Sequence, residues 1–199
     1  DYERLVDARR KVRATLPAPL TLTREAWMEA HPPGWLEYRE AMGPRGRYGR
    51  WLREKPVATV VNRTLFMHAG ISPDRPATPD QVNRQARDEI ARYDAFLQRL
   101  VDARLALPFF TMQEVLDVVS AELQAASAVL EQAKLDNKPP DLSAFDVPLL
   151  REATNFTQIG DWSLLAPEGP LWFRGYANWP EDAATSEKVA AFLAKAGLD

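Results

Sequence analysis

With 199 residues, 46% of them hydrophobic and 27% charged, the chain has room for one sizeable domain and an ordinary globular balance, which sets aside disordered, collagen-like and membrane classes. It contains no cysteine, so disulfides, thiolate metal sites and cysteine nucleophiles are excluded together. Net charge is −3, and the excess of 12 basic over 8 acidic residues in Asp1–Pro56, against 13 basic and 20 acidic in the rest, is too mild for a nucleic-acid surface.

The first stretch, "DYERLVDARRKVR", lacks a signal peptide's apolar segment, and no run approaches the ~18 apolar residues of a membrane helix. Opening on Asp1 rather than Met leads us to expect a chain that has been processed or cut from something longer. Tyr2–Leu16 predicts a helix with Leu5, Val12 and Leu16 on one face, stopped by "PAP". Thr23 caps a second helix that carries Trp27 inward and ends before "HPPG", where His31 reads as a surface turn residue. "GWLEYREAM" and "GRYGRWLREK" predict two short helices; Trp35, Tyr48, Trp51 and Leu52 are expected in the core, with Arg47, Arg50 and Arg53 facing water or a partner.

Val57–Val61 and Leu65–Met67 predict one strand pair turning at Asn62 and Arg63. The second strand runs directly into His68, one of two histidines, then Ala69 and Gly70. Open α/β sheets place chemistry at such strand ends. A histidine that merely ends a strand and is hydrogen-bonded by its neighbours fits equally well. Gly70 likewise reads either as a point of close backbone approach or as an ordinary turn glycine.

Thr78, Pro79 and Gln81 form a helix start with a capping box. The helix is expected to run to about Leu105 with Val82, Ala86, Ile90, Tyr93, Leu97, Leu100 and Arg104 along one stripe. "LPFFT" breaks it, and Thr111 with Glu114 caps another helix bearing Val115, Val118, Val119, Leu123, Val129 and Leu130; together they predict a helical hairpin. Asp136–Pro148 reads as a proline-rich connector. The following aromatic, glycine- and proline-rich stretch predicts a packed, loop-rich surface with a short strand near Leu171. A last helix from about Ser186 carries Val189, Phe192 and Leu193 inward, and Gly197 with Leu198 suits a Schellman ending. In an α/β protein such a helix should feed another strand, so the C-terminal boundary is expected to be a cut. No internal repeat is present.

Three blocks, "LFMHAGISPD", "GPLWFRGY" and "KVAAFLAKAGLD", with "HPPGWLEYREAMGPRGRYGRWLREKPVATVVNRT" before the first, resemble in order the segments of calcineurin-like metallophosphoesterases of the bacterial Shewanella-like phosphatase type. The resemblance spans most of the chain from about His31 and is weakest between Pro76 and Thr157. It implies an α/β fold, a metallophosphoesterase-like sandwich incomplete here, with residues 76–157 as a mainly helical insertion in a partial domain covering 1–199. It implies hydrolysis of a phosphomonoester by metal-activated water, with two divalent or trivalent metal ions (Mn, Fe or Zn). His68 matches the family's metal-ligating histidine, with Ala69 where the family has glycine, and Arg174 matches the arginine that faces the substrate phosphate, a natural partner for a planar bidentate cation. Read from its neighbours alone, Arg174 could instead pair with Asp161 or Glu168, and Trp172 and Phe173 beside it are expected to pack.

The family's other ligand blocks, "GDxHG", "GDxxDRG", "GNHE" and the final "GH", do not occur in this chain. One imidazole cannot hold two metals, so this chain alone is expected to be inactive and to depend on missing segments of the same protein. The implied partners are a phosphorylated protein or small-molecule substrate, with no nucleic acid and no membrane. The alternative is a non-catalytic fragment whose helical hairpin binds a partner through an apolar groove. Compartment is left open.

Overall fold

A computed structural model describes residues 23–198; the helix expected over Tyr2–Leu16 lies outside them. Three short helices come first: α1 (Arg24–Ala30), α2 (Trp35–Met42) and α3 (Arg47–Arg53). A hairpin of β1 (Ala58–Val61) and β2 (Thr64–Met67) follows. Then come α4 (Pro79–Asp102), α5 (Met112–Leu135), α6 (Val147–Phe156), a single 3₁₀ turn at Ile159–Asp161, the one-turn α7 (Gly175–Asn178) and α8 (Ala183–Ala196). The chain is thus mixed and helix-rich, and the sheet among the described residues is a two-stranded antiparallel one.

The helix starts are where the capping residues put them. Thr23 Oγ1 accepts the Ala26 N–H at 3.2 Å. Thr78 and Gln81 exchange backbone-to-side-chain bonds of 2.8 and 3.2 Å, and Thr111 and Glu114 make the second reciprocal box. Each such box satisfies amides that the first helical turn leaves without partners. At the other end of the chain, Gly197 adopts φ +69°, and the buried Leu198 returns its N–H to the Leu193 carbonyl at 2.9 Å. That is the Schellman closure expected of a glycine free of the Cβ penalty at positive φ.

Two compact units divide the chain, one formed by residues 23–50 with 93–158, the other by 51–92 with 159–198. In the first, the core is helical. Phe96 and Leu100 of α4, Val115, Val119 and Ala126 of α5, and Leu149, Ala153 and Phe156 of α6 are all buried. The Phe96 and Phe156 rings lie 4.5 Å apart, and Arg39 of α2 donates to the carbonyls of Phe109 and Phe110 at 3.3 and 2.7 Å, fixing the bend after α4. The helix that packs most closely on α5 is α6, a pairing that the sequence does not predict. Helix α6 starts inside the stretch that reads as a proline-rich connector. Asp146, inside the supposed connector, accepts the Leu149 N–H at 2.9 Å, and Pro148 sits in the first turn, where its missing N–H costs nothing.

The second unit is built on the hairpin. Its register pairs Ala58 with Met67 and Val61 with Thr64, with Asn62 and Arg63 both at positive φ, the geometry of a tight two-residue turn. Ala58, Ile71, Val82 and Phe192 form the buried cluster, with Val57, Leu65, Met67, Ala77 and Leu193 packed around it. Asn83 on α4 holds the strand entrance with three bonds: its Oδ1 accepts the Val57 and Ala58 N–H groups at 2.9 and 3.0 Å, and its Nδ2 donates to the Ala58 carbonyl at 2.7 Å.

Three local expectations are corrected. Tyr48, Trp51 and Leu52 are exposed, at 53%, 55% and 45%. The short helix α3 turns Gly49 inward instead, where the Gly43 and Met42 carbonyls leave no room for a Cβ, and the outward rings are covered by cations, with Lys55 Nζ 4.8 Å above Trp51. His31 is not a bare turn residue. Its ring stacks on Trp27 and meets Trp35 edge-on, each at 4.3 Å, while its Nδ1 donates to the Trp27 carbonyl at 2.8 Å. The strand expected near Leu171 does not form. The Trp172 and Phe173 amides both bond back to the Gly169 carbonyl, so this stretch closes a turn.

Candidate functional site

His68 and Arg174 both belong to the second unit. His68 follows β2 directly, as the hydrophobic run into it predicts; its side chain is exposed and makes no hydrogen bond or ion pair. The ring is therefore held at a strand end without being committed to a neighbour. Arg174 stands just before α7, also exposed. Its Nη1 touches the Phe173 and Leu171 carbonyls at 3.2 and 3.4 Å, the longer of these a weak bond, and no carboxylate is paired with it.

The segments carrying these two residues, more than 100 positions apart, meet through Gly70. A Cβ placed on Gly70 would fall 2.7 Å from Tyr176 Cε2 and 2.9 Å from Phe173 Cδ1. Such distances are not tolerated, so the absence of a side chain is what lets the two aromatic rings reach the backbone after His68. The Tyr176 hydroxyl then donates to the Ile71 carbonyl at 2.6 Å. Burial raises the pKa of this phenol above the ordinary tyrosine value, which keeps the donor protonated. Phe173 is buried and packs edge-on against Tyr176 and Trp179 at 5.0 and 5.6 Å. Its neighbour Trp172 does not pack as expected: its ring is half exposed, anchored by an Nε1 bond of 3.0 Å to the Leu164 carbonyl.

Around Arg174 the surface opens into a cleft of about 620 Å³. Ser72, Asp74, Arg75, Glu168, Trp172 and Arg174 are among its walls. His68 is not among the lining residues, so the structure joins the two predicted residues through their backbones and not in one cavity. Sequence reading passed over Ser72 and Arg75, and also Glu89, whose two carboxylate oxygens accept the Ser163 and Leu164 amides at 2.8 and 2.9 Å and so pin the loop leading to the cleft. Nothing in a serine inside "ISPDR" or a glutamate in mid-helix signals these roles.

No group of three or more His, Asp or Glu side chains placed to hold a metal ion occurs among the described residues. His68 by itself offers a single imidazole. No described helix is long and apolar enough to cross a membrane. Comparison with known proteins finds no matching family model, no matching curated protein and no matching solved structure.

Proposed function

We propose that this chain is part of a metal-dependent phosphoester hydrolase of metallophosphoesterase-like sandwich fold, which cleaves a phosphomonoester. In this reading His68 contributes one imidazole toward a pair of divalent or trivalent metal ions, and Arg174 faces the substrate phosphate. The observation that carries the reading is the packing of Phe173 and Tyr176 on Gly70. It ties the strand end bearing an imidazole without partners to the turn bearing an arginine that has no carboxylate partner, the residue types that suit a metal ion and a phosphate. The described residues do not make a metal centre on their own, so any ion at His68 would need ligands from outside them.

The test is p-nitrophenyl phosphate hydrolysis with added manganese, with metal content measured in parallel, on this chain and on a longer parent protein containing it. Activity and about two bound metals in the parent, both lost in His68→Ala, are expected. A parent with neither activity nor metal overturns the reading and leaves a non-catalytic binding module.

A further inference from the structure

The two edges of the β1–β2 hairpin are not alike. In an antiparallel ladder, pairs that exchange main-chain hydrogen bonds alternate with pairs whose N–H and C=O groups point outward. The two-residue turn at Asn62 and Arg63 makes Val61 and Thr64 a bonded pair, and Thr59 and Phe66 the next, so Ala58 and Val60 on one strand and Leu65 and Met67 on the other face outward. Asn83 agrees with that parity, since its amide takes up both the N–H and the carbonyl of Ala58 and closes the β1 edge there. The β2 edge has no such cover. Among the described residues no hydrogen bond from another element reaches the main chain of Leu65 or Met67. A row of open amides and carbonyls is a template for a further strand.

Edges that stay unpaired are ordinarily blunted by charge, proline or a bulge. Thr64–His68 contains no Lys, Arg, Asp, Glu or Pro, and its register against β1 runs without interruption. Phe66 stands 55% exposed on one face of the strand, while Leu65 and Met67 lean on the apolar cluster beneath the other.

The strand also complements itself. Only outward residues can exchange bonds across this edge, so an antiparallel copy must set odd positions against odd ones. A two-fold axis at Phe66 meets that condition for both of them, placing Leu65 opposite the partner's Met67 and Met67 opposite the partner's Leu65. Phe66 then faces the partner's Phe66 in a non-bonded pair, where cross-strand side chains come closest and aromatic pairs are favourable. Thr64 falls opposite the partner's His68, so no like charges meet. A slip of one residue would offer amides already spent on β1.

We infer that the outer edge of β2 is a docking site for a second copy of this chain, the two β2 strands pairing antiparallel about Phe66 into one four-stranded sheet. The contact is isologous, as a two-fold dimer requires, and it links the apolar clusters of the two copies through Leu65 and Met67. It rests on the strand edge alone and is independent of the hydrolase reading.

The experiment is sedimentation of the full chain over a wide concentration range, combined with cross-linking. The chain has no cysteine, so a single introduced thiol reports one position. A concentration-dependent dimer is expected, weakened about tenfold or more by Phe66→Lys, which sets like charges opposite each other. Val61→Lys, equally exposed but on β1, should leave it intact, and thermal melts confirm that each variant folds. Phe66→Cys should form a disulfide-linked dimer on mild oxidation, because non-bonded cross-strand pairs stand within disulfide reach. Thr59→Cys, its neighbour in the hairpin, should not. A chain that stays monomeric at every concentration overturns the site. A dimer that Phe66→Lys leaves unchanged, or that Phe66→Cys fails to cross-link, also overturns it, since the copies then meet elsewhere.

Discussion

The two units are held by different means. In the unit of residues 23–50 and 93–158, helices close on one another through aromatic and aliphatic side chains: Phe96 on Phe156, Phe110 at 1% exposure, and Val115 and Val119 with no exposure at all. In the unit of residues 51–92 and 159–198, the apolar cluster is small and turns make up much of the chain. Long-range order there comes from side chains that bond backbone: Asn83 to Val57 and Ala58, Glu89 to Ser163 and Leu164, Tyr176 to Ile71. Packing is non-directional and tolerates exchange among apolar residues of similar volume, whereas a carboxylate clamping two amides does not. A unit pinned in this way can hold polar groups at defined places around a cleft, which suits it to carry the candidate site.

Substitutions should separate these two modes. Phe110→Ala has the largest expected effect, a loss of about 3–5 kcal/mol of unfolding free energy from the cavity left at a fully buried ring. Denaturant unfolding of wild type and variant measures it. A loss below about 1 kcal/mol would mean that the helical unit can collapse around the gap and is not closely packed. Glu89→Ala is expected to cost about 2–4 kcal/mol, because two loop amides lose a charged acceptor. Its signature is local. Hydrogen exchange at Ser163 and Leu164 should accelerate well beyond that at Val115 or Val119, and uniform acceleration would remove the contrast between the units.

Tyr176→Phe has the smallest effect, about 1 kcal/mol for the bond to Ile71. Its pH dependence has a definite sign. The folded-state pKa is raised above the unfolded value of about 10, so the hydroxyl's contribution is complete below that pH and is lost as pH rises through the folded value. The stability gap between wild type and Tyr176→Phe should hold steady from neutral pH to about 10 and narrow above it. A gap that narrows already near neutrality would show that this hydroxyl does not hold the Gly70 loop.

Much of the chain was legible as sequence wherever the determinants are local. Both capping boxes, the Asn62–Arg63 turn, the Gly197 ending and the strand leading into His68 follow from residues within four positions of one another, because the hydrogen bonds that define them close over that distance. Helix α6 was missed because the prolines before it read as a connector, although Asp146 and Pro148 also suit a helix start. The pairing of α5 with α6 and the outward turn of Tyr48 and Trp51 depended on how helices pack and on a glycine face that periodicity does not weigh, whereas the two tryptophans that hold His31 stand only four residues to either side of it, a spacing that the reading of a bare turn before two prolines left unused. For the candidate site the division is the same. The sequence by itself determined that a histidine ends a strand and that an arginine sits in an aromatic turn. Only the tertiary structure decided that Gly70 admits Phe173 and Tyr176, that Arg174 escapes pairing with Asp161 or Glu168, and that Ser72 and Arg75 share its cleft. Local hydrogen bonds are written in adjacent residues, whereas a cavity and its unmet donors exist only once distant segments have packed.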